Sequence, residues 1–228
     1  MYKYLLFDLD ETLLDLKKAE AVAITETLKS FGIKATRETV ELYSAINLSC
    51  WKRYEKGEIT RDEIYKNRVE LLGESLGVAF DADSFTNKYS ALLSHQGHLY
   101  PYAISLLKQL KARGYKMAAA TNGSFVAQTG RLIASGIAGF FDCGIYISEK
   151  IGFKKPDPKF FEFILQSAEI ENKSDVLVIG DSLSSDIAGA VAAGLDCCFV
   201  GTKATEEPKI TPTYSVNALE DIISVCGL

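Results

Sequence analysis

The sequence predicts an α/β protein, in which a doubly wound parallel sheet has helices on both faces and carries one inserted bundle of helices. A short apolar strand opens the chain at residues 4–7. From Tyr100 onward, predicted helices alternate with short apolar strands, which is typical of a parallel sheet. Residues 17–94, between these two parts, show apolar side chains at helical spacing and no convincing strand.

The inserted segment contains its own helix signals. Gly32 follows the first helical stretch. Thr60 and Glu63 have the spacing of a capping box, which begins a later helix. A final helix is predicted for residues 82–93. The expected boundaries are residues 16–96 for the helical domain and residues 1–15 and 97–228 for the sheet domain.

The second half of the chain contains four predicted strands and five predicted helices. The strands are expected at residues 116–120, 144–147, 175–179 and 197–200, and the helices at residues 103–113, 125–135, 159–168, 184–193 and 215–225. The strand at 197–200 is the last clear one. Residues 203–213 contain two prolines and are expected to form a surface loop.

Composition limits the classes of partner. With 228 residues, of which 47% are hydrophobic and 24% charged, the chain resembles ordinary globular proteins. The net charge of -5 argues against a nucleic-acid polymer as partner, but not against a small phosphorylated metabolite. Five cysteines fit neither a disulfide framework nor a zinc site. Neither a membrane-spanning run nor a signal-peptide pattern is found, so we expect a cytoplasmic protein with no membrane partner.

Polar clusters follow three of the predicted strands. They are Asp8-x-Asp10-x-Thr12, Thr121-Asn122-Gly123-Ser124 and Gly180-Asp181-Ser182-x-x-x-Asp186, with Lys155 at the start of a helix between the second and third. Each cluster alone is equally compatible with a turn or a helix cap. If the strands are neighbours, their carboxylates form an oxygen-only site that suits Mg²⁺. Thr121 and Lys155 would then hold a phosphoryl group, which one of the carboxylates could attack.

These four motifs, in this order, resemble those of the haloacid dehalogenase-like (HAD) phosphohydrolase superfamily. The resemblance covers the whole chain and implies a Rossmann-like core with a small helical cap, which here corresponds to residues 16–96. It also implies roles. Asp8 matches the nucleophile that becomes a phospho-aspartate, and Asp10 matches the acid/base. Thr121 and Asn122 match the phosphate-binding positions.

The resemblance also implies a cation and a metal site. Lys155, which directly precedes a proline, matches the cation that holds nucleophile and phosphate together, while its neighbour Lys154 is expected to be a solvated charge. The expected Mg²⁺ ligands are Asp8, the main-chain carbonyl of Asp10, Asp181 and Asp186, the last either directly or through its waters.

The cap suggests a substrate class. Asn47, Trp51 and Arg68 resemble positions of the pyrimidine 5′-nucleotidase group, which implies a pyrimidine nucleoside monophosphate as substrate. Packing inside the cap is an equally good interpretation of Trp51, and a surface position is the ordinary one for Arg68.

Other functions stay open on the sequence alone. A phosphatase for phosphoglycolate or a sugar phosphate would share the core residues, as would a phosphomutase. A dehalogenase of this superfamily lacks the acid at the position of Asp10, and a degenerate binding module would lack one of the core aspartates, so both are disfavoured. The sequence does not indicate an oligomeric state.

Overall fold

The structure, a computed structural model, describes residues 2–201 and 210–227. Its centre is a six-stranded parallel sheet in the order β3-β2-β1-β4-β5-β6, which confirms the predicted parallel architecture. The strands are β1 (Tyr4–Phe7), β2 (Lys116–Thr121), β3 (Ile145–Ile147), β4 (Val176–Gly180), β5 (Asp196–Val200) and β6 (Tyr214–Val216). Strand β1 lies between β2 and β4, where the strand order reverses. Open α/β sheets bind ligands at such a reversal.

Helices cover both faces of the sheet. They are α5 (Ala103–Ala112), α6 (Phe125–Ser135), α7 (Ser148–Ile151), α8 (Pro158–Ser167), α9 (Ala188–Ala192) and α10 (Ile222–Val225). Leu5 and Phe7 of β1 pack with α5 and α10 on one face, while Leu6 packs with Phe160 and Ile164 of α8 on the other. Because successive strand residues point to opposite faces, a strand buried on both sides must be apolar throughout.

Four helices precede this arrangement in the chain and pack on one another. They are α1 (Leu16–Ser30), α2 (Arg37–Glu55), α3 (Arg61–Leu76) and α4 (Ala82–Ser94). Thr60 caps α3 in the predicted capping box with Glu63. Tyr43, Val69 and Phe85, from three of the helices, are buried in their common core. No strand occurs between Leu16 and Ser94, all of which the structure describes.

One prediction of secondary structure is wrong, and the structure refines another. The predicted helix at 215–225 begins only with a 3₁₀ turn at Leu219–Asp221, because Tyr214–Val216 instead form β6 beside β5. The predicted helix at 184–193 begins as a π-helical turn, Leu183–Ile187, which continues as α9. Such turns are rare and often occur at functional sites.

Three further expectations concern the loop at 203–213, the cysteines and membrane-spanning segments. Part of the predicted surface loop at 203–213 lies outside the described residues, and residues 210–213 have no regular structure. All five cysteines are free, and four of them are buried. Within residues 2–201 and 210–227, every helix is too short or too polar to cross a membrane.

Candidate active site

The loops that follow β1, β2 and β4 meet at one edge of the sheet. Asp8 directly follows β1, Thr121 ends β2, and Asp181 directly follows β4. Parallel neighbours end at the same edge, so the strand order places these three residues next to one another. The structure thus brings together the polar clusters that the sequence places after separate strands.

The side chain of Lys155 connects these loops through hydrogen bonds. Its Nζ donates to Asp8 Oδ1 at 2.5 Å, to Asp186 Oδ1 at 2.5 Å and to the Ala120 carbonyl oxygen at 2.7 Å. An ammonium has three donors, and all three are used. Burial lowers the pKa of Lys155, but the two carboxylates outweigh it and raise the pKa overall. Lys155 therefore remains charged.

Three carboxylates lie together at this edge. One oxygen from each of Asp8, Asp181 and Asp186 falls within 4.8 Å of the other two. Burial raises the pKa of Asp8 well above its usual range, although Lys155 opposes the rise. Burial, followed by the charge of Asp186, raises the pKa of Asp181 to about 7. These carboxylates repel one another, so an oxygen-binding cation among them would lower the free energy of the site. The donor set therefore fits Mg²⁺.

The carboxylate of Asp10 lies apart from this group and contacts helix α6. Arg131, which is 1% exposed, forms an ion pair with it, and Gln128 Nε2 donates to its other oxygen. Gln128 also donates to Thr121 Oγ1 at 3.2 Å. Sequence reasoning missed Gln128 and Arg131. Their three-residue spacing on a helix that begins at the 121–124 cluster was the available signal.

Thr121 and Asn122 differ in what they can offer a phosphate. Thr121 Oγ1 accepts from the Gly123 amide at 3.0 Å and from Gln128, so its own proton is free to donate. Asn122 uses its amide group to bind the backbone of Lys155, accepting at 3.0 Å and donating at 2.9 Å. Asn122 thus fixes the position of Lys155. Its contact with phosphate stays a prediction.

A buried polar cluster lies inside the helical segment. This cap cluster consists of Glu20, Ser44, Asn47, Arg68 and Tyr89, which are linked by hydrogen bonds through Glu20 and Asn47. Arg68 is 3% exposed, so its ordinary interpretation as a surface residue is wrong. Glu20, Ser44 and Tyr89 were not predicted as site residues. They lie on three different helices, and nothing in their spacing along the sequence indicates that they share a cluster.

Trp51 and Arg61 lie where the helical segment meets the sheet domain. Trp51 is partly buried and has Arg61 Cζ 5.6 Å from its ring centroid. Arg61 donates to Ser148 Oγ at 2.7 Å and to the carbonyl oxygens of Asn122 and Gly123 at 3.1 and 3.3 Å. Arg61 thus connects α3 with the loop after β2.

Lys154 does not behave as the solvated charge expected from the sequence. It is half-buried, and its Nζ donates to the carbonyl oxygen of Tyr54. The same Nζ lies 3.5 Å from the centroid of the Tyr54 ring. Burial lowers its pKa. The expectation fails because the C-terminal end of α2 packs against the loop that carries Lys154.

One cavity of about 460 Å³ extends from the carboxylates at the sheet edge to the cap cluster. Its lining includes Asp8, Thr121 and Lys155 at the sheet, and Glu20 and Arg68 in the helical segment. This volume falls within the range of roughly 300–1,000 Å³ that is usual for small-molecule sites. Asn47 and Trp51 also line it, so every predicted substrate position in the cap faces the same space.

Known proteins match this chain over most of its length. Residues 2–194 match the haloacid dehalogenase-like hydrolase family. The chain is 37% identical to the pyrimidine 5′-nucleotidase PynA of Streptococcus pneumoniae over 97% of this chain and 94% of that one. It is 30% identical to the pyrimidine 5′-nucleotidase YjjG of Escherichia coli over 97% and 96%.

A solved structure extends the comparison to the fold. The magnesium-bound putative HAD-hydrolase YfnB of Bacillus subtilis superposes with a TM-score of 0.93 at 33% identity, covering 100% of this chain and 99% of that one. Both the family match and the relatives span the sheet domain and the helical segment. The chain therefore belongs to the haloacid dehalogenase-like hydrolase family and is a phosphohydrolase of that family.

Proposed function

We propose that this enzyme hydrolyses pyrimidine nucleoside 5′-monophosphates, with Mg²⁺ and through a phospho-aspartate at Asp8. The observation that carries the proposal is the shared cavity, which places the carboxylates and Lys155 at one end and the neutral, hydrogen-bonding cap cluster at the other. The two relatives named pyrimidine 5′-nucleotidase support the choice of substrate.

The first step transfers the phosphoryl group to the enzyme. A carboxylate oxygen of Asp8 attacks phosphorus, and the bond from phosphorus to the nucleoside 5′-oxygen breaks. Lys155, bound to Asp8, offsets negative charge there, and the Thr121 hydroxyl donates to a phosphoryl oxygen. Asp10 gives its proton to the departing 5′-oxygen.

The second step returns the enzyme to its starting state. Asp10, now ionised, takes a proton from a water molecule that attacks the phosphorus of phospho-Asp8. The bond from phosphorus to the Asp8 oxygen breaks, so inorganic phosphate leaves and the Asp8 carboxylate is restored. Gln128 and Arg131 both bind the Asp10 carboxylate, so they fix its direction.

The carboxylates of Asp8, Asp181 and Asp186, with the main-chain carbonyl of Asp10, would hold Mg²⁺. Asp186 is shared with Lys155, so it serves as a ligand or as a partner of the metal's waters. The ion would supply positive charge that offsets the repulsion between an anionic nucleophile and an anionic substrate.

A phosphate-release assay with Mg²⁺ tests the proposal. We expect kcat/KM for UMP, dUMP or dTMP to exceed that for AMP, glucose 6-phosphate and phosphoglycolate, because the cap cluster offers a flat base several hydrogen-bonding groups. Trp51→Ala should raise KM for UMP and leave hydrolysis of a small aryl phosphate nearly intact.

The same assay separates the alternatives. A preference for phosphoglycolate or a hexose phosphate would reject the nucleotidase and retain the phosphatase. Transfer of phosphate to a sugar phosphate in place of water would indicate a phosphomutase.

A further inference from the structure

Glu20 occupies an unusual position for a carboxylate. It lies on α1, is 5% exposed, and accepts hydrogen bonds from Asn47 Nδ2 at 2.5 Å, from Tyr89 Oη at 3.3 Å and from Ser44 Oγ. All three donors are uncharged. An ionised carboxylate can accept about four hydrogen bonds, so Glu20 retains capacity for another donor.

Arg68 has the complementary property. Its Nη1 donates to Asn47 Oδ1 at 3.1 Å, and its Cζ lies 4.8 Å from the ring centroid of Tyr89 and 5.1 Å from that of Tyr65. Its Nε is buried and has no hydrogen-bond partner among the described residues, nor has the hydroxyl of Tyr65. Both residues line the cavity. A buried donor without a partner is costly unless a ligand supplies an acceptor.

The geometry of α2 indicates where the cap cluster lies along the cavity. Glu55 of α2 approaches Ser184 of the sheet domain at 3.5 Å, and Asn47 lies eight residues earlier on the same helix. At 1.5 Å per residue, this places Asn47 about 12 Å farther along the axis. A substrate whose phosphate lies at Asp8 therefore presents its far end to Glu20 and Arg68.

We infer that Glu20 is a specificity-determining residue, which accepts the N3–H of a uracil or thymine base while Arg68 donates to a neighbouring carbonyl oxygen of that base. An imide edge offers one donor between two acceptors in a single plane, which complements one free acceptor and the free donors beside it. Asn47 links the two side chains and holds them in position. The inference rests on the proposed nucleotidase function.

Charge supports a neutral group at this end of the cavity. Glu20 and Arg68 carry opposite charges and both contact Asn47, so the cap cluster as a whole is neutral. A second phosphate or a carboxylate would lose its hydration here, and the neutral cluster has no excess positive charge to offset that loss. A base loses less on burial, because each of its polar edge atoms can find a partner.

Kinetics with matched substrates test the inference. In the parent, kcat/KM for UMP should exceed that for N3-methyluridine 5′-monophosphate by about 10- to 100-fold, the usual effect of one hydrogen bond to a charged group. Glu20→Gln should lower kcat/KM for UMP by a similar factor, mainly through KM, and should shrink the penalty of N3-methylation. The loss should be confined to substrates with a base, so ribose 5-phosphate should be hydrolysed as before.

Glu26→Gln is the matched control, since Glu26 is exposed on the same helix and pairs with Lys29. It should leave every ratio unchanged. Equal losses on UMP and ribose 5-phosphate would make Glu20 a structural residue and overturn the inference, as would an unchanged N3-methyl penalty. A parent enzyme that prefers ribose 5-phosphate to UMP would instead overturn the proposed function, and the inference with it.

Discussion

The side chain of Lys155 connects three parts of the site. Its three donors satisfy two carboxylates and one carbonyl oxygen, each from a different loop or strand. Buried charges are tolerated only with such partners, because the protein interior solvates them poorly. Lys155 and the carboxylates of Asp8 and Asp186 thus stabilise one another, and the loops that carry them are held together.

Asp10 gives a prediction about proton transfer. Asp10→Asn keeps the shape of the side chain but removes the proton that a nucleoside leaving group needs. We expect the rate with UMP to fall by roughly 10²–10⁴-fold, and the rate with p-nitrophenyl phosphate to fall much less, because its leaving group needs little protonation. Steady-state kinetics with both substrates measure the difference. Equal losses would remove Asp10 from the acid/base role.

Gly180 is a second residue whose identity follows from the site. A Cβ at this position would collide with the carboxyl group of Asp186. We expect Gly180→Ala to displace Asp186, to lower phosphatase activity at least tenfold and to cost about 1–3 kcal/mol of stability. Activity assays and thermal unfolding measure both effects.

Gly139→Ala is the control for this substitution, because a Cβ there meets nothing within 4 Å. It should change neither activity nor stability appreciably. If Gly180→Ala behaved like Gly139→Ala, the tight fit around Asp186 would not be needed for function.

Among the elements, α6 contributes most to the geometry of the site. Its N-cap is Ser124, immediately after the loop that carries Thr121, so its N-terminus lies near the expected phosphate position. Over its first two turns, it presents Gln128 and Arg131 to Asp10. A single helix thereby orients both the loop after β2 and the Asp10 carboxylate, to which we assign the phosphate-binding and acid/base roles.

Packing of α8 against the sheet gives a prediction about stability. Ile164 is fully buried on α8, and Ile133 on α6 is 69% exposed. Ile164→Ala should lower the free energy of unfolding by about 2–5 kcal/mol, whereas Ile133→Ala should change it by about 0.5 kcal/mol or less. Chemical denaturation measures both. Similar values for the two variants would contradict the assigned core.

Much of the sheet domain could be predicted because its strands are short apolar runs that end in polar clusters. Strand β6 was missed because Tyr214–Val216 is only three residues long and is defined by pairing with β5. The π-helical turn before α9 was missed because it differs from an α-helix only in its backbone bonding, in which the Ile187 amide donates to the Ser182 carbonyl oxygen five residues earlier.

The site also contains residues that could be predicted from the sequence and residues that could not. Asp8, Thr121 and Lys155 belong to motifs that occur in a recognisable order along the chain, so they could be predicted from the sequence. Glu20 and Arg131 are charged residues on helices, which are usually exposed, and only the packing of the helices reveals that they face a common cavity. The sequence pattern contains no long-range information of this kind.

At the scale of the whole molecule, the helical segment and the sheet domain form the site jointly. Residues of both parts line the cavity. Arg61, at the start of α3, donates hydrogen bonds to the loop after β2 and to Ser148. Enclosing a phosphorylated nucleophile limits its exposure to bulk water and strengthens the electrostatic interactions around it. The substrate would be bound between the two parts, the phosphate by one and the base by the other.

The clustered carboxylates of Asp8, Asp181 and Asp186 predict that activity requires a metal ion. We expect chelation to abolish phosphate release and Mg²⁺ to restore it, because the clustered carboxylates need a cation. Asp181→Ala should prevent the rescue at ordinary Mg²⁺ concentrations. Asp83→Asn, at an exposed site on α4, should be rescued like the parent. Activity in metal-free protein would point to another mechanism.

The most direct test of the shared site is a crystal structure of Asp8→Asn with Mg²⁺ and UMP. The substitution removes the nucleophile, so the nucleotide should remain intact. We expect the phosphate beside residue 8, Thr121 and Lys155, Mg²⁺ at Asp181, and the uracil ring against Glu20 and Arg68. A nucleotide bound with its phosphate away from residue 8, or with its base outside the cavity, would contradict the proposed shared site.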